Sequence, residues 1–129
     1  MTGVQTCALP ICILDEGKII YGGEAAGFVV RFPDRRAVYC AGDTNVFTDM
    51  QLIERLYHPE LAFLPIGDLY TMSPREAALA CRMLNIRKVV PLHFGTFPPL
   101  TGRPEQLKDL LGDEGTEVWT LEPGTPAQW

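Results

Sequence analysis

The sequence has few of the features that announce a location or a partner. No Lys or Arg precedes Asp15, the first charged residue, and Gly3, Gln5, Thr6 and Pro10 interrupt every apolar run of the opening MTGVQTCALPI. A secretory signal needs a basic start and an unbroken apolar core, so that reading is excluded, and the stretch is too short to span a membrane. The 11 basic residues are spread without a cluster and the formal charge is -5, which excludes the electrostatic footprint of a nucleic-acid binder. The 4 cysteines form no CxxC pair and no disulfide framework, since Cys7 and Cys12 fall in the opening stretch, Cys40 in a strand-like run and Cys81 in a helical one. The glycines of YGGEAAG lie between strand-like segments rather than at the start of a helix, so they make no phosphate loop. Histidine is scarce as well, with His58 and His93 alone.

What is present begins with an oddity. TGVQTCALPI is the translation, in one frame, of a common short-read sequencing-library adapter, and a GTG before it would be taken as the start Met. On that reading residues 1–12 are a scar with Cys12 at the junction, to be set aside from fold reasoning, and residues 13–129 are one truncated domain. With 47% hydrophobic residues the remainder can build a core, and its acidic balance suits the cytoplasm.

The pattern after the opening is strands, then strands alternating with helices. Lys18–Gly23 and Gly27–Phe32 read as strands, and the turn Pro33–Arg36 leads into AVYCAGD, an antiparallel arrangement. Thr48 and Gln51 read as a capping box with Phe47 and Leu52 as its staple, opening a helix whose buried stripe is Leu52, Ile53 and Leu56. Leu61–Gly67 is the next strand. Ser73, Pro74 and Glu76 start a helix with Ala77, Cys81 and Leu84 on one face. KVVPLHF is a third strand, a short helix from Pro104 turns Leu107, Leu110 and Leu111 inward and stops at Gly112, and Glu117–Pro123 supplies a last strand. The fold class is α/β, of the α+β sandwich type.

Crossovers between parallel strands place successive carboxyl ends on one sheet edge, where α/β proteins bind ligands. Asp43, Asp68 and His93 each follow such a strand, two of which finish with a Pro that ends ladder pairing. Asp43 is a turn residue or a functional carboxylate on this evidence, and His93 a satisfied polar side chain or a ligand. A carboxylate and an imidazole brought together from positions 50 residues apart can hold a divalent metal or act as an acid and base pair. His58 stands at a helix end before Pro59, where it suits the helix dipole and solvent.

Four strings carry a resemblance: GFVVRF, YCAGDTNVF, AFLPIGDLYTMSPREAA and VVPLHFGTFPPLTG. From Gly27 to about Pro123 they resemble the C-terminal half of the metallo-β-lactamase superfamily, and within it the UPF0173 metal-dependent hydrolases, relatives of the ascorbate-phosphate lactonases. The resemblance implies half of an αββα fold and, in the full-length protein, two divalent metal ions, zinc first, with manganese or iron as alternatives. It gives Asp43 the place of the carboxylate bridging the metals and His93 that of the last histidine ligand. Asp68, Tyr70 and Met72 match a loop lining the substrate pocket, or pack as an ordinary loop. A metal-activated water would cleave an ester, lactone or phosphoester of a small molecule. No nucleic acid and no membrane enter this reading.

The superfamily's HxHxDH motif is absent from the 129 residues, as is a later histidine expected just before ILDEG. Two protein ligands do not close a zinc site. The chain is therefore expected to bind metal weakly, to be inactive alone, and to self-associate through surface left uncovered. The alternatives are a non-enzymatic α/β binding or interaction module, and a haloacid-dehalogenase-like phosphatase, which Asn45 disfavours by standing where a second Asp is needed.

Overall fold

The computed structural model describes residues 2–5, 11–23 and 25–129, with side chains from Ile13 onward. Met1 and residues 6–10 lie outside the described residues, so the scar expected over residues 1–12 meets the structure only through the backbone of its remaining positions. That backbone supplies β1 (Thr2–Gln5) and the start of β2 (Ile11–Asp15). Ladder pairing uses main-chain groups alone, which is why no side-chain alternation announced β1.

A six-stranded sheet has the order β1, β4 (Ala26–Arg31), β5 (Ala37–Cys40), β6 (Leu61–Pro65), β7 (Lys88–Leu92), β8 (Glu117–Val118). The first two junctions are antiparallel and the rest parallel. Contrary to the sequence pattern, β3 (Lys18–Gly23) stays out of this sheet and forms a hairpin with β2. Its two-residue turn places Glu16 at φ 45 and Gly17 at φ 76, the left-handed pair that such turns require. The last strand also ends at Val118 rather than Pro123.

Since β5 to β8 advance in one direction, right-handed crossovers put α1 (Met50–Tyr57), α2 (Pro74–Leu84) and α3 (Pro104–Leu111) on the same sheet face. Alternation divides the strands accordingly: Val29, Tyr39, Ala62, Leu64 and Val89 join the helix-side core. Val38, Leu61 and Val90 face the other way, covered by Trp119, Leu121 and Trp129. Arg36 holds that tail, donating from Nη1 to the Trp129 carbonyl at 2.9 Å with its guanidinium 4.5 Å from the ring centre. Phe28 and Phe32 stay 40% and 41% exposed, Phe32 with its ring centre 5.9 Å from that of Trp129.

Two helices correct the sequence reading. In α1 the N-cap is Asp49 with no side-chain capping bond, because its helical φ and ψ already place Thr48 outside the cap position. Ile53 is buried as expected, but its buried partner is Met50 three residues earlier, and Leu52 and Leu56 are exposed. In α3, Leu107 and Leu111 are buried four apart and Leu110 turns outward. The start of α2 is as read: Ser73 Oγ accepts from Glu76 N at 3.3 Å and Ser73 N donates to Glu76 Oε2 at 2.7 Å. That backbone donor holds the Glu76 carboxyl below its usual range.

Candidate metal centre at the carboxyl edge

Three loops leave the parallel strands at one edge. After β5, Gly42 takes φ 70 against the Ala26 carbonyl, and Asp43 follows with its carboxylate exposed. After β6, Pro65 ends the strand and Asp68 takes φ 72. After β7, His93 takes φ 54. Neither Pro65 nor Pro91 forfeits a ladder bond. Phe63 bonds toward β5 and Val89 toward β8, so the prolines two residues further face sides where those neighbours have already ended. Pro91 does not terminate its strand, which runs on to Leu92.

The edge brings together Asp43 and His93, with Asp43 Oδ2 and His93 Nε2 3.9 Å apart. That separation is too long for a hydrogen bond and within the ~4.2 Å that two bonds of about 2.1 Å to one ion can span. An oxygen and an imidazole nitrogen suit zinc, manganese or iron. His93 Nδ1 is buried without a hydrogen-bond partner among the described residues, so the ring is not held as a satisfied core histidine would be.

The other expected site residues behave differently. Asp68 organises its own loop: its Oδ1 accepts from Leu69 N at 3.0 Å and its carbonyl from Thr71 N at 2.9 Å. Tyr70 is exposed beside it, free to line an approach from solvent. Met72 is fully buried in the helix-side core, so it supports the loop from beneath rather than presenting a surface. His58 caps α1 in the left-handed conformation with Nδ1 3.3 Å from Glu54 Oε1. Burial pushes the Cys81 thiol up to about 12 and raises that of Cys40, so neither is a ready thiolate nucleophile. No group of three or more His, Cys, Asp or Glu placed to hold a metal ion occurs among the described residues. Sequence reasoning did not single out Thr71, whose buried hydroxyl has no hydrogen-bond partner among the described residues, nor the glycines that set loop spacing, whose only trace was a Gly directly before Asp43 and before Asp68.

Residues 14–94, a span holding both Asp43 and His93, match the family profile described as Beta-lactamase superfamily domain. The chain belongs to the beta-lactamase superfamily. Among superfamily relatives, a UPF0173 metal-dependent hydrolase of Solibacter usitatus is 73% identical over 126 residues, covering 97% of this chain and 55% of its own length. A UPF0173 metal-dependent hydrolase of Rubrobacter xylanophilus is 53% identical, covering 85% of this chain and 46% of its own. Among solved structures, Igni18, a metallo hydrolase from the archaeon Ignicoccus hospitalis, superposes with TM-score 0.73 at 41% identity, covering 81% of this chain and 45% of that one. The chain thus spans about half the length of the curated relatives it matches. No described helix is long and apolar enough to cross a membrane.

Proposed function

We propose that the chain is the C-terminal half of a metal-dependent hydrolase acting on an ester, lactone or phosphoester of a small molecule, and that Asp43 and His93 are its contribution to a site for two divalent ions, zinc first. The approach of Asp43 Oδ2 to His93 Nε2 from separate strands is the observation that carries this reading. A divalent metal held there would supply a nucleophile from water near neutral pH and polarise the scissile carbonyl or phosphoryl group. Asp43 offers its carboxylate from the solvent side, and the left-handed turn at His93 directs Nε2 toward it. Exposed Tyr70 would border the approaching substrate.

The test uses the chain completed by the upstream part of the Solibacter usitatus relative, assayed on aryl-ester, lactone and phosphodiester substrates with added zinc or manganese. Asp43→Asn and His93→Gln are each expected to lower kcat/KM at least about 100-fold while leaving the fold intact. Activity unaffected by both changes contradicts the assignment. A completed chain that takes up no metal favours a binding module instead.

Exposed Phe28 and Phe32 support a companion proposal, that the 129-residue chain self-associates. Light scattering is expected to show mass rising with concentration, and a constant monomer mass argues against it.

A further inference from the structure

The end of β6 passes closer to the loop after β7 than any side chain would allow. A Cβ on Gly67 would lie 2.0 Å from the His93 carbonyl oxygen and 3.2 Å from Leu100 Cδ2. The opposite side is closed too, since a Cβ on Gly102 would lie 1.7 Å from the Ile66 carbonyl oxygen, and Gly102 N donates to the Gly67 carbonyl at 3.5 Å. Residues 66–67 are therefore held between His93 and Gly102.

This packing acts on both peptides flanking the His93 Cα. The Leu92 carbonyl accepts from Ile66 N at 3.0 Å, the last rung between the strands. The His93 carbonyl rests on the bare Cα of Gly67. Between them His93 takes φ 54, a left-handed backbone that a non-glycine residue keeps only where its surroundings fix it. Beyond it, Gly95 at φ 71 has nothing within 4 Å of a Cβ and donates from N to the Leu100 carbonyl at 3.4 Å, so β6 is the element that packs directly on the His93 carbonyl while the following loop closes on itself.

We infer that Gly67 is the positioning residue for His93: its missing side chain lets the His93 peptide seat against the end of β6, and that seat aims Nε2 at Asp43. The meaning of the aim rests on the reading of Asp43 and His93 as ligands, but the seat can be tested without metal.

The 129-residue chain has 2 histidines, so 13C-histidine labelling gives two ring signals, assigned with His58→Gln. In metal-free Gly67→Ala the His93 ring signal is expected to move by more than its line width while the His58 signal stays in place, and cobalt(II) affinity at the edge is expected to fall about tenfold or more. Leu107→Ala, a cavity in the core under α3, is the control and should leave the His93 signal where it is. An unmoved His93 signal in Gly67→Ala overturns the inference, as does an equal movement in Leu107→Ala, which would show general loosening. If Gly67→Ala does not fold, Leu100→Ala removes the group backing Gly67 without touching the His93 carbonyl. Its His93 signal is expected to shift or broaden, and an unchanged signal overturns the inference. Failure of cobalt to perturb His93 in the unmodified chain defeats the metal reading instead and leaves the metal-free result standing.

Discussion

Zinc affinity is expected to rise about a thousandfold or more when the chain is completed with the upstream part of the Solibacter usitatus relative. The 129-residue chain offers Asp43 and His93, and no third His, Cys, Asp or Glu joins them among the described residues. Zinc in a protein ordinarily takes three or four such ligands, and complete structural sites bind with about 10–16 kcal/mol. A shortfall of two ligands amounting to about 4 kcal/mol corresponds to three decades in Kd. Competition against a chromophoric chelator measures both forms under the same conditions. Stoichiometric sub-micromolar binding by the 129-residue chain alone contradicts the expectation, because it would require a ligand set the edge does not gather.

Gly102→Ala is expected to be strongly destabilising, with a closer clash than alanine would meet at the other described glycines whose surroundings are known. Its Cβ would sit 1.7 Å from the Ile66 carbonyl oxygen, 2.8 Å from the carbon behind it and 3.2 Å from Pro74 Cδ, the first residue of α2. No flexible side chain is available to move aside, so relief requires separating the β7 loop from the end of β6. Overpacking against side chains costs about 1–3 kcal/mol, and a clash between backbones falls at or above the top of that range. Urea unfolding should show a loss of about 3 kcal/mol and thermal unfolding a fall on the order of 10 °C. Gly115→Ala is the comparison: at φ 88 with open space around it, only backbone strain of about 1 kcal/mol is expected. Equal effects at the two positions would show that the close approach is not a constraint.

Much of the architecture was legible because burial on a parallel sheet leaves a period. Val38, Tyr39, Leu61, Ala62, Leu64, Val89 and Val90 alternate between the two apolar faces, and Ser73 with Glu76 marks α2 by the chemistry of the cap itself. The errors lie where local pattern and tertiary packing part. Ile53 was read as buried and is, but Leu52 and Leu56, also at helical spacing, are exposed while Met50 is covered, and hydropathy does not say which stripe a neighbour will cover. Lys18–Gly23 pairs in a hairpin with Ile11–Asp15 immediately before it, a partner partly lost from the pattern when residues 1–12 are set aside. At the site, the sheet edge and the family strings pointed to Asp43 and His93 together, and they stand 3.9 Å apart across 50 residues of sequence. The same strings suggested Met72 for the pocket, and its burial is a property of the folded loop that no spacing encodes. Gly67 and Gly102 were invisible for a similar reason, since a close backbone approach leaves no signal in a single sequence beyond the glycine itself.

The measurement that bears most directly on the metal centre is a cobalt(II) titration of the 129-residue chain followed by NMR. Paramagnetic broadening or shift should appear first at Asp43, His93 and their immediate neighbours, saturate only at high cobalt concentration, and vanish in Asp43→Asn. Broadening centred on His58 and Glu54, or a tight site indifferent to Asp43→Asn, would contradict the assignment of Asp43 and His93 as this half's metal ligands.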